Sequence, residues 1–147
     1  MREIKLSLRK LVFALVFFGI AGLEEELLLL RHAESVTQWI PHVALAIGLL
    51  TTIVVYFRPR PGVLRFFQAV MLLFLVVGAL GVYLHYRGNV EFALERDPSL
   101  SGFRLFWKAL RGATPSLAPG ALAQIGLLGL IFTYKHPALT GRSEPLD

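Results

Sequence analysis

Four long apolar runs dominate the chain, over residues 11–30, 40–57, 63–86 and 117–134, and short polar or turn-forming stretches separate them. A hydrocarbon core about 30 Å thick needs roughly 20 helical residues at about 1.5 Å each. The runs therefore predict an all-α integral membrane protein, with four transmembrane helices packed as a compact bundle in one membrane domain over 1–147. Breakers fall between the runs: Pro41, the Arg58-Pro59-Arg60-Pro61-Gly62 turn and Pro137. The last run opens on Pro119-Gly120, where a proline in the first turn leaves no N–H unpaired in lipid.

Residues 87–116 form an outer loop with its own pattern. Phe103, Phe106, Trp107 and Leu110 recur at i, i+3, i+4 and i+7, while Arg104, Lys108 and Arg111 take another face. That spacing predicts a short amphipathic helix lying on the outer bilayer surface, anchored by its apolar face, with Trp107 at headgroup level. The apolar runs carry pairs of glycines three apart: Gly19 and Gly22, Gly78 and Gly81, Gly126 and Gly129. Between helices in lipid there is no hydrophobic force, so such small faces predict helix packing surfaces.

Composition agrees with this pattern. Hydrophobic residues make up 55% of the chain and mean hydropathy is +0.62, which excludes disorder. Cysteine is absent, so disulfides, thiolate metal sites and a cysteine nucleophile are excluded. Charge sets the orientation, because cytoplasmic segments retain Lys and Arg. One side holds nine cations: Arg2, Lys5, Arg9, Lys10, Arg58, Arg60, Arg65, Lys135 and Arg142. The other holds Arg31, Arg87, Arg96, Arg104, Lys108 and Arg111, together with most of the acids. Both termini are expected in the cytoplasm of a bacterial-type inner membrane. A basic start, an apolar stretch and Gly19-Ile20-Ala21 also fit a cleaved signal peptide over 1–22, against which stands the apolar tetrad Leu27-Leu28-Leu29-Leu30.

The candidate chemistry lies at the outer ends of the runs. Three acids, Glu24, Glu25 and Glu26, interrupt the first run; at mid-depth they would cost about 7 to 10 kcal/mol, against about 4 to 8 gained from its apolar residues. Either the helix starts near Ile4 and carries them to the interface, or they are protonated, paired or liganded inside the bundle. His32, two turns after Glu25, joins His42 and His85 at the same end, with Glu91 and Glu95 beyond. Mixed imidazole and carboxylate donors suit a transition metal, with Glu25, His42 and His85 as first candidates and His32 and Glu91 behind them. Ordinary interfacial polar residues explain the same pattern, and no paired ExxH motif specifies ligand geometry. A second reading makes His42 and His85 the axial ligands of a b-type haem in an electron-transfer protein.

No GxSxG, GxxxxGK[ST] or GxGxxG motif occurs, so catalysis by a known motif is not indicated and no residue is assigned a catalytic role. The cytoplasmic loops account for the basic composition, and no nucleic-acid partner is implied. The sequence points to an accessory or structural subunit of a larger membrane complex. Its expected partners are the lipid bilayer and other membrane subunits or further copies of itself. A small oligomeric proton-coupled transporter using a glutamate of the first helix is the third reading.

Overall fold

The computed structural model describes residues 7–141. The charges at Arg2, Glu3, Lys5, Arg142, Glu144 and Asp147, and the helix start expected near Ile4, lie outside the described residues. Six helices and no strand occur among those described: α1 (Leu8–Leu29), α2 (Val36–Phe57), α3 (Pro61–Arg96), α4 (Gly102–Leu110), α5 (Gly120–Thr133) and α6 (Pro137–Thr140). Two of them, α2 and α3, are long and apolar enough to cross a membrane. Charges at both ends of α1 break its apolar window, and the 14 residues of α5 rise only about 21 Å.

Helices α1, α2, α3 and α5 form an antiparallel four-helix arrangement. Each packs on two neighbours, α1 on α2 and α5, α3 on α2 and α5, and the diagonal pairs do not touch. Close approach at small residues sets the seams. A Cβ on Gly78 would lie 2.8 Å from the Ala123 backbone nitrogen, one on Gly81 2.6 Å from Pro119 Cβ, and one on Gly126 2.6 Å from the Met71 carbonyl. Gly129 faces Met71 in the same seam, and Gly48 of α2 receives the ring of Phe74. Gly19 abuts Ile125 at 3.0 Å, whereas Gly22 faces open space and packs against nothing. Val16, Ile20, Leu45, Phe67, Phe74 and Ile125 fill the centre, with Phe132 tilted against Phe13 and edge-on to Phe67.

These contacts place Gly19, Gly48, Phe74 and Ile125 at one level across the bundle. Counting about 1.5 Å per residue from that level, Lys10, Arg58, Arg65 and Lys135 all fall about 13 to 15 Å toward one end. At that end the Arg9 guanidinium donates to the Lys135 carbonyl at 3.4 Å. The opposite end carries Trp39, His42, Tyr83 and His85.

Two helices run past the boundaries their apolar runs suggest. Helix α2 starts at Val36, not at residue 40, because Gln38 Oε1 reaches back to accept from the backbone N–H groups of Glu34 and Ser35, at 2.6 and 3.1 Å. Pro41 lies inside the helix rather than at its start, and removes one bond, that to the Thr37 carbonyl. Helix α3 continues to Arg96, about 54 Å in all, where a loop was expected from residue 87. Arg87 and Glu91 pair at 2.9 Å one turn apart, and Asn89 and Ala93 continue the buried face. The helix stops at Asp97, whose following Pro98 disfavours helical geometry. The Ser99 hydroxyl and backbone N–H, both donating to Asp97, hold its carboxyl below the usual range.

Helix α4 folds back along this projecting end of α3. Ala109 is buried against it, and Phe106 meets Tyr86 at 5.9 Å between ring centroids. Phe103, Phe106 and Trp107 remain exposed, with Phe103 stacked on Trp107 and tilted against Phe106. The segment after α4 is pinned by Asn89, buried on α3. Its amide donates to the Thr114 carbonyl at 2.6 Å and to Ser116 Oγ at 3.0 Å, and its oxygen accepts from the Thr114 N–H at 3.1 Å.

Candidate functional site

The site is built from α1, α2 and α3 at the end of the bundle away from Lys10, Arg58, Arg65 and Lys135, the outer end in the expected orientation. Val16 and Ile20 form the buried stripe of α1, and Glu24 lies one turn further along it, so its carboxylate turns inward. On α2, Leu45 and Gly48 define the inward face and His42 continues it toward the outer end. His42 is buried, and Nδ1 lies 2.8 Å from Glu24 Oε1 while Nε2 lies 2.9 Å from the His32 carbonyl oxygen.

The end of α1 presents that carbonyl. Leu30 caps the helix, and Arg31 turns left-handed at φ 51°. The Arg31 N–H bonds the Leu28 carbonyl and the His32 N–H bonds the Leu27 carbonyl, which is the Schellman arrangement with an arginine in the place usually held by glycine. The chain is thereby reversed within three residues and the His32 carbonyl faces α2.

The donor count at His42 is specific. A carbonyl only accepts, so Nε2 carries a hydrogen, and a single proton lies between Nδ1 and Glu24 Oε1. The second carboxylate oxygen, Glu24 Oε2, is buried and receives no hydrogen bond. Glu25 and Glu26 turn to other faces, as successive steps of 100° require: Glu25 is exposed on the bundle surface, and Glu26 lines a cavity.

That cavity measures about 490 Å³ and lies between the outer halves of α1, α2 and α3 and the segment leading into α5. Its floor is Leu45, Val77 and Leu122, and its mouth carries Glu26, His32 and His85. The His32 and His85 rings stand 6.2 Å apart. His85 Nδ1 lies 3.2 Å from the Pro115 carbonyl, which fixes the hydrogen on Nδ1 and leaves Nε2 free to accept. Partial burial, then the imidazoles of His85 and His42, hold His32 below its ordinary value, so it is neutral at pH 7.

The residues proposed from sequence as metal ligands do not converge. His42 joins Glu24, the acid next to the favoured Glu25; Glu91 pairs with Arg87 on the projecting part of α3; His32 and His85 share only the mouth of the cavity. No group of three His, Asp or Glu able to hold a metal occurs among the described residues. For the haem reading, both ring nitrogens of His42 already face protein acceptors, so neither is directed at an iron. The face of α4 expected to anchor in the bilayer is divided: Phe103, Phe106 and Trp107 are exposed and Leu110 is half-buried.

Three features escaped the sequence reading. The pairing of Glu24 was available in the i, i+4 series Val16, Ile20, Glu24. Glu26 shares a face with Leu23 and Leu30, three residues before and four after it, which line the same cavity, and the role of Asn89 follows from a helix continuing past residue 86. Comparison with family models, with curated proteins and with solved structures finds no match to this chain.

Proposed function

We propose that the chain is a four-span integral membrane protein of a bacterial-type inner membrane, with both termini cytoplasmic, and that it serves as an accessory or structural subunit of a larger membrane complex. The surface of the bundle supports the membrane part. Only 39% of the apolar window of α2 and 33% of that of α3 is buried within the chain, where the core helix of a water-soluble protein would be mostly buried. Leu50, Leu72, Val76, Leu127 and Ile131 are among the exposed residues of the central band. A ring of four cations about 13 to 15 Å from the central level, on the expected cytoplasmic side, matches a core about 30 Å thick.

The observation that carries the subunit reading is Gln124. It sits next to Ile125, at the central level, on the exposed face of α5 and without a partner among the described residues. An amide placed where nothing can hydrogen-bond costs about 4 to 8 kcal/mol relative to water. A neighbouring transmembrane helix with a polar side chain relieves that cost, and such interhelical bonds add about 0.6 to 2 kcal/mol to association. The exposed face of α5 is accordingly the surface for another subunit.

The test is mass spectrometry of membranes solubilised mildly around a C-terminally tagged chain, beside the Gln124→Leu variant. Polypeptides recovered in fixed ratio with the native chain, and reduced several-fold with Gln124→Leu, are the expected result. A chain that purifies without other polypeptides overturns the subunit reading, and a chain released from membranes by alkaline carbonate overturns the membrane reading.

A further inference from the structure

The outer cavity has a composition that selects its occupant. Its floor, Leu45, Val77 and Leu122, is buried and lies three residues, about 4 to 5 Å, above the central level of the bundle. His85 at the mouth lies about 16 Å above that level, so the cavity extends over about 12 Å along the bundle axis. Leucine, isoleucine, valine, alanine and proline supply most of the walls, and the rim residues Leu30, Leu80 and Leu84 are exposed on the flank of the bundle. The opening thus faces sideways, into what the membrane reading makes the outer leaflet, as well as outward. At about 490 Å³ it falls in the range that encloses a drug-sized ligand.

The polar end carries a carboxylate and two imidazoles, beside the hydroxyls of Ser35, Thr37 and Thr114 and the amide of Gln38. Glu26 offers a carboxylate, and His85 Nε2 offers a lone pair because Nδ1 is committed to the Pro115 carbonyl. His32 adds a second neutral imidazole 6.2 Å across the mouth. No Lys or Arg among the described residues lines the cavity. A phosphate or carboxylate head would meet a carboxylate without a compensating cation, whereas a head bearing hydroxyl or ammonium hydrogens finds acceptors on both sides.

We propose that this cavity binds a single-chain amphiphile whose head bears hydrogen-bond donors. The head is held at Glu26, His32 and His85 and the chain descends along Leu27 and Leu84 to the floor at Leu45, Val77 and Leu122. The inference rests on the membrane reading for the route of entry. It assigns Glu26 and the two mouth histidines a shared task that neither a metal nor a haem gives them.

Binding is measured with the full chain reconstituted in nanodiscs, using spin-labelled dodecanoyl glycerol as the probe and dodecyl phosphate as the anionic competitor. Saturable binding of the glycerol ester is expected, displaced at least tenfold less effectively by dodecyl phosphate than by unlabelled dodecanoyl glycerol. Ala118→Trp, which places an indole in the cavity from its rim, is expected to abolish binding. Glu26→Gln together with His85→Phe is expected to weaken it about tenfold while the thermal midpoint of the bundle holds. Absence of saturable binding, equal displacement by the phosphate, or binding unchanged by Ala118→Trp overturns the proposal. A chain that resists carbonate extraction yet binds no glycerol ester overturns the cavity proposal alone, while release by carbonate removes the membrane reading on which it rests.

Discussion

His42 of α2 and Glu24 of α1 meet at 2.8 Å in the outer third of the bundle, and they share one proton because the other ring nitrogen is committed to the His32 carbonyl. Removing the imidazole strands two polar groups, while a neutral amide at position 24 keeps a partner for Nδ1. His42→Phe is expected to lower stability by about 3 kcal/mol, the lower end for a broken buried pair, since Glu24 retains 29% of its side-chain surface. Glu24→Gln is expected to cost no more than about 1 to 1.5 kcal/mol, the worth of one ordinary hydrogen bond. Denaturant unfolding in detergent separates the two, and equal losses would remove the pair as a link between α1 and α2.

The sequence was informative where one cause dominates and silent where several compete. Apolar runs located α1, α2, α3 and α5, because a chain segment withdrawn from water must satisfy its own backbone hydrogen bonds, which a continuous helix does. Their ends were less legible. The start of α2 depends on Gln38 reaching back over Ser35, and Pro41, which reads as a breaker, is tolerated once that turn is capped. The continuation of α3 past residue 86 buries Asn89, whose partners Thr114 and Ser116 lie some 25 residues away in the chain. In the site, charge alone did not distinguish among Glu24, Glu25 and Glu26; the phase of the buried stripe Val16, Ile20 does. The glycines divide similarly, since spacing gives Gly19 and Gly22 equal standing but only Gly19 faces a neighbouring helix.

Asn89 ties the segment after α4 to α3, and Gly112 lies directly against its amide, so a methyl group there would overlap the side chain. Asn89→Leu leaves the Thr114 N–H and carbonyl and the Ser116 hydroxyl without this partner, at about 1 to 3 kcal/mol for each group left buried. Faster proteolysis and amide exchange within 111–119 are expected for both Asn89→Leu and Gly112→Ala. Unchanged protection of that segment in Asn89→Leu would show that the amide does not hold it.

Along the seam between α3 and α5, a Cβ on Gly126 would stand 2.6 Å from the Met71 carbonyl, an atom that moves only with the backbone. Gly126→Ala is therefore expected to destabilise the bundle by about 1 to 3 kcal/mol, as overpacking does. Gly22→Ala meets open space and gains up to about 1 kcal/mol in helix propensity. Thermal unfolding of the two variants should move in opposite directions, and a neutral Gly126→Ala would mean that α3 and α5 are not in close contact there.

The mouth histidines give the protein a pH dependence with a fixed sign. Burial and the facing imidazoles of His85 and His42 depress His32 in the folded state, so between its folded value and the ordinary 6.5 the unfolded chain binds the proton more strongly. Stability from this source is complete above about pH 6.5 and falls as the pH drops toward the folded value. Other groups titrate in the same range, so the difference between the native chain and His32→Gln is the quantity to follow. The native chain is expected to lose more stability than His32→Gln from pH 7 to pH 5, because protonation of His32 sets a cation beside two further histidines. At the same mouth, a protonated His32 gains a donor and loses its acceptor, and the affinity for a hydroxyl-bearing head should fall over the same interval. Parallel stability curves for the native chain and His32→Gln would show that the ring is free of its neighbours, and would remove the pH response from the cavity.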